Sequence, residues 1–199
     1  MPRRGLDRDA VVAAAEQLVD AQGSKNLSMT ALARKLGVQV PSLYNHVESI
    51  EALLGYVQNR ALTDLGLDLQ RAAMGKSGRH GVEGLARALR DFASRRPGRY
   101  ELAMSAPIDR PAMQAAGATA GAALAAVVES FGVEVTPELA FVTVSTLHGA
   151  LALDRSGLFR GSVELADVYD DAVELVVTLI KRAAKAGHGR AAPAQTRPG

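Results

Sequence analysis

Apolar residues recur at helical spacing along nearly the whole chain, and that recurrence predicts an all-α protein. Val12, Ala15, Leu18 and Val19, continued by Gln22, share one face of a first helix that Asp7 can cap and Gly23 can end. Ser28 is placed to cap a second helix, whose stripe of Met29, Leu32, Ala33 and Leu36 ends at Gly37, a residue suited to a left-handed turn. After an interrupted, polar piece, helical spacing resumes for a long run over 50–73. The loop MGKSGRHG, 74–81, reads as a linker. Further helices are expected at 82–95, 98–104, 111–131, 137–156 and 162–186. The alternation of a strand is not sustained beyond the short VEVT around Val133.

The interrupted piece, LGVQVPSLYNHVES, is the least helix-like stretch of the first seventy residues. Two short helices joined by a tight turn, the second poor in apolar residues, is the pattern of a helix-turn-helix unit. Pro41 suits the first turn of the second helix, where a missing N–H costs nothing. From there only Leu43 and Val47, four apart, can face inward, which leaves Ser42, Tyr44, Asn45 and His46 outward. A polar helical end of this kind suits the DNA major groove, where Asn pairs with adenine edges and Ser with either base type. Tyr44 and the backbone N–H groups at the start of that helix can hold phosphate. Thr30 is placed for the DNA backbone or an adjacent base, and Arg3 with Arg4 for a trailing arm in a groove.

Composition narrows the function classes. The 199 residues are 48% hydrophobic and 4% aromatic with no Trp, so Leu, Val and Ala must fill the interior. The absence of Cys excludes disulfides, thiolate metal sites and cysteine nucleophiles. The four His, at 46, 80, 148 and 188, show no metal-ligand spacing; no phosphate-binding glycine loop and no nucleophile elbow occurs, so neither catalysis nor a cofactor is expected. Net charge is only +2, with the basic excess at the two ends, where residues after 180 hold five Lys/Arg and no acid. Acids at Asp7 and Asp9 precede any apolar run, so the start does not read as a secretion signal and a cytoplasmic protein is expected. The uncharged runs 111–128 and 139–153 are expected to be buried helices rather than membrane spans.

The segment LSMTALARKLGVQVPSLYNHVESIEALL resembles the DNA-binding domain of the TetR family of bacterial regulators, and the likeness reaches back through the first helix. SRRPGRYELAM and STLHGALALDRSGLF resemble a C-terminal domain found in a subset of that family with a His-Gly pair in its penultimate helix. The resemblance implies a dimeric, all-α, ligand-responsive regulator, usually a repressor, on a palindromic operator. It would put DNA contacts on Thr30, Val40, Pro41, Ser42, Tyr44, Asn45 and His46. Val47 stands where the family commonly has Phe, Ile50 where it has a phosphate-binding Lys, and Glu48 adds a repulsive charge, so weakened DNA affinity is expected.

The implied organisation is a three-helix DNA-binding domain over 1–50, the connecting helix 50–73, a ligand-binding and dimerisation domain over 82–186, and a flexible tail, 187–199. Tyr100, Met104, Met113, Phe141, Leu147, His148 and Phe159 are the side chains expected to line an apolar effector cavity. In the last helix Leu165, Tyr169, Ala172, Val173, Val176, Leu179 and Ile180 form a broad apolar face that can serve core and partner together, and with the helix at 137–156 it is expected to form half of an interface with a second copy. The competing expectation is a helical adaptor that uses its first domain for protein contacts alone.

Overall fold

A computed structural model describes residues 6–158 and 161–188. Among these, the regular structure is helical throughout: α1 (Arg8–Gln22), α2 (Met29–Leu36), α3 (Val40–Tyr44), α4 (Ile50–Ala73), α5 (Gly78–Arg95), α6 (Pro97–Ala103), α7 (Arg110–Glu129), α8 (Pro137–Ser156) and α9 (Leu165–His188), with a 3-10 turn at Ser24–Asn26 after α1. The VEVT stretch forms no strand. Arg3, Arg4, Phe159 and the chain beyond His188 lie outside the described residues.

The caps follow the sequence closely in the first helices. Asp7 accepts from the Ala10 N–H and Ser28 from the Ala31 N–H, each satisfying a first-turn donor that the helix leaves open. Gly37 closes α2 at φ 68°, a left-handed conformation that costs glycine nothing. Helix α5 starts a turn earlier than periodicity indicates, at Gly78, whose N–H donates to Ser130 Oγ at 2.7 Å.

The chain divides into two compact units, and the division is not linear. The first gathers everything up to Asp68 with Leu89–Gly121; the second gathers Leu69–Ala88 with the chain from Ala122 onward. In the first unit α6 is built onto α1 and α4. A Cβ on Gly98 would lie 1.9 Å from the Val19 carbonyl oxygen, so only glycine allows this approach. The fully buried Gln58 of α4 donates to the Leu102 and Ala106 carbonyls and accepts from the Ile108 N–H, which ties down the end of α6 and the loop after it.

In the first unit Val11, Val12, Ala15 and Val19 of α1 pack with Leu32 and Ala33 of α2, Leu43 of α3, Leu53 and Val57 of α4 and Leu102 of α6. This cluster carries the three short helices, none of which would persist alone at its length. In the second unit α8 packs along α9. Leu139, Thr143, Leu147 and Leu151 form the buried stripe of α8, and Tyr169, Val173, Val176, Val177 and Ile180 that of α9. Tyr169 also donates its hydroxyl to the Ala86 carbonyl at 2.9 Å.

Two expectations about the uncharged runs need correction. Helix α7 is long and apolar enough to cross a bilayer by length and composition, yet only 17% of its apolar window is buried. Helix α8 leaves Phe141, Val142, Val144 and Leu153 exposed. In α8 one stripe is packed and the rest is surface, because a helix buries only the side that meets its neighbours, while in α7 the buried residues, Ala123, Val127 and Val128, are confined to the last turns.

Candidate nucleic-acid interface

Helix α3 is five residues long, and its start is held by no side-chain cap. Its fixity comes from the core: Leu43 is 0% and Val47 3% exposed, and the Val47 N–H donates to the Leu43 carbonyl at 3.1 Å. These two anchors turn the other side outward. Tyr44, 52% exposed, stands beside exposed Pro41 and Asn45, with Ser42 and His46 half-buried at the margin. Thr30, in the first turn of α2, is exposed as well. Val40 packs partly against the core cluster and contributes chiefly to seating α3.

The basic side chains nearby in sequence are Arg34 and Lys35, exposed in the last turn of α2. Ser49 caps α4 by accepting from the Ala52 N–H at 3.0 Å. Ile50, in the place where the resemblance called for Lys, is half-buried against the core cluster, so it anchors the start of α4. Glu48 is exposed. Periodicity gave no hint of Arg8, the first residue of α1. Its Nε donates to the His46 carbonyl at 3.1 Å, and its guanidinium carbon lies 5.2 Å from the centroid of the Tyr56 ring. Such a bridge joins positions 38 and 48 residues apart, and no local pattern announces it.

The other candidate residues fare unequally. Tyr100 is buried and Met104 and Met113 half-buried in the first unit, while Leu147 and His148 belong to the second. Phe141 is 73% exposed and stands on the surface, so it is withdrawn from the cavity set. The second unit holds an open groove of about 600 Å³ lined by Leu153, Asp154, Arg155, Val163, Leu165 and Val168, among others; none of the six expected cavity residues that are described lines it.

On α9 the expected partner face is corrected in part. Tyr169, Val173, Val176 and Ile180 are buried within the protomer and cannot meet a second copy; Leu165, Ala172 and Leu179 are half-buried. Large apolar residues that do reach solvent include Val168 and Leu175 of α9, seven apart, and Phe141, Val142, Val144 and Leu153 of α8. The broad apolar face of α9 is thus divided: its centre fills the core, and Val168 and Leu175 lie exposed at its edge.

Comparison with known proteins agrees with this geometry. Residues 11–57 match the family of bacterial regulatory proteins named tetR, and residues 82–191 match the tetracyclin repressor-like C-terminal domain. An uncharacterized HTH-type transcriptional regulator of Mycobacterium tuberculosis is 35% identical over 174 residues, which is 84% of this chain and 76% of the relative. An HTH-type transcriptional repressor of Streptomyces coeruleorubidus is 36% identical over 116 residues, 55% of this chain and 40% of the relative. Among solved structures, a protein of unknown function from Rhodococcus sp. RHA1 superposes with a TM-score of 0.74 at 23% identity, covering 92% of this chain and 99% of its own. A TetR variant from Acinetobacter baumannii AYE in complex with minocycline gives 0.60 at 20% identity, covering 94% and 99%. With both domains matched and a relative aligned across most of its length, the chain belongs to the TetR family of bacterial transcriptional regulators, which bind DNA and are not enzymes.

Proposed function

We propose that this regulator is an effector-responsive repressor that binds a palindromic operator as a homodimer, with α3 in the major groove, and that it works in the cytoplasm. The observation that carries the reading is the division of α3. Leu43 and Val47 are sunk in the core, and Tyr44 and Asn45 are left together on the exposed side. Asn45 is suited to an adenine edge, Tyr44 and Thr30 to phosphate, and Ser42 to either. Two such heads related by a twofold axis would meet successive major grooves about 34–36 Å apart. The repressor sense is supported by the Streptomyces relative, and an effector by the minocycline complex of the Acinetobacter protein.

For the partner copy, the exposed Phe141, Val144, Val168 and Leu175, with half-buried Ala172 and Leu179, replace the core residues of α9 as the contact face. Tyr100, Met104 and Met113 in the first unit remain candidates for effector contact, as do, separately, Leu147 and His148 in the second. The test is selection of genomic fragments by the purified protein, followed by footprinting of an enriched fragment. Enrichment of an inverted repeat whose binding weakens steeply with salt is expected. Retention of no fragment above bulk DNA would favour the adaptor.

A further inference from the structure

Leu43 of α3 and Val47, three residues past its end, hold this segment to the core, with Val40 packed partly against it. Apolar contacts carry little direction, the helix is too short to hold its own aim, and its amino end lacks a side-chain cap. A directional attachment is needed to fix where Tyr44 and Asn45 are aimed. Arg8 provides one. From the first turn of α1 it donates Nε–H to the His46 carbonyl, just past the end of α3, at 3.1 Å. Its guanidinium plane is itself held over Tyr56 of α4, a half-buried residue packed against the core cluster. The bond also satisfies a carbonyl that the short helix leaves without a partner of its own.

We propose that Arg8 is a specificity-determining positioning residue, which sets the rotation of the reading helix by bridging the His46 carbonyl to the face of Tyr56. This rests on the reading of α3 as the base-contacting element. The role needs a planar fork with a donor part-way along the side chain, which Lys lacks, and an aromatic face, which Phe supplies as well as Tyr. It is a demand on geometry, separate from a demand for charge.

The experiment measures selectivity, the ratio of affinity for a duplex that the wild-type protein selects from a random-sequence library to that for calf-thymus DNA, across a salt series. Arg8→Ala, Arg8→Lys, Tyr56→Leu, Tyr56→Phe and Asn45→Ala are compared, with thermal unfolding of each as the check on folding. Arg8→Ala and Arg8→Lys are expected to lose selectivity alike, about tenfold, with unchanged calf-thymus affinity and an unchanged salt slope. Tyr56→Leu should lose part of it, and Tyr56→Phe should match wild type. Amide exchange at residues 43–47 of the free protein should quicken in both Arg8 variants.

The proposal is overturned if both Arg8 variants keep wild-type selectivity while Asn45→Ala loses it. It is equally overturned if Arg8→Lys behaves as wild type and Arg8→Ala drops one unit of salt slope, the mark of a phosphate contact. Selectivity retained by Asn45→Ala would bring down the reading of α3 itself, and this proposal with it.

Discussion

Arg99 Nε lies 2.7 Å from Asp20 Oδ2, and the Arg99 backbone N–H donates to the other oxygen of the same carboxylate at 2.9 Å. One acid at the end of α1 thus grips both the side chain and the main chain of the first turn of α6. Beside it Gly98 brings α6 against the Val19 carbonyl. Helices α1, α2, α3 and α6 therefore share one packed core.

Gly98→Ala puts a methyl group where backbone already stands, so α6 must lift from α1. A loss of about 1–3 kcal/mol, the usual range for overpacking, is expected in thermal or urea unfolding. Asp20→Ala frees the same turn by removing two charge-assisted bonds from a largely buried site, and about 2 kcal/mol is expected.

Gln58 is the counterpart on α4. Replacing it with Leu removes the Gln58 bonds to the Ala106 carbonyl and the Ile108 N–H and one donor to the Leu102 carbonyl, which keeps the Ser105 hydroxyl at 2.7 Å, at about 0.5–1.5 kcal/mol for each bond lost. Stability should fall by about 1–3 kcal/mol, and amide exchange at Ile108 should accelerate. Gln58→Glu keeps the acceptor and loses the donor, so it should spare Ile108 more than Leu does.

Glu16 of α1 is buried beside Arg60 and Arg99, with Asp20 and Asp64 also facing it. Burial raises its pKa above the ordinary 4.5, outweighing the two arginines, which pull it down. An acid whose pKa is raised on folding contributes stability that is complete below 4.5 and is lost as pH climbs through the raised value. Glu16→Gln should therefore flatten the stability profile just above pH 4.5, and urea midpoints at pH 4.5 and 7 measure it. An unchanged profile would count against this assignment.

The proposed partner face can be separated from the core by two substitutions on one helix. Leu175→Glu should leave the protein folded and convert it to monomers in sedimentation. Val176→Glu, one residue on, buries an unpaired charge and should unfold it.

Local patterns made the first three helices legible: cap residues at Asp7 and Ser28, a stop at Gly37, and the pair Leu43 and Val47. Such features act within one or two turns, where spacing decides burial. The placement of α6 was not legible, because it depends on contacts between Gln58 and residues some 44–50 positions away and on one glycine meeting a distant carbonyl. On α9 the spacing showed an apolar face but gave no means of dividing it between core and surface. That division depends on what α8 covers, and it assigned Val176 to the interior and Leu175 to the outside.

The proposed base reading by the exposed end of α3 is tested most directly by the affinity of Asn45→Ala for a duplex enriched by the wild-type protein, set against its affinity for bulk DNA. A loss of about 1–3 kcal/mol on the enriched duplex alone, with an unchanged unfolding midpoint, is predicted. Equal affinity of variant and wild type for that duplex would contradict it.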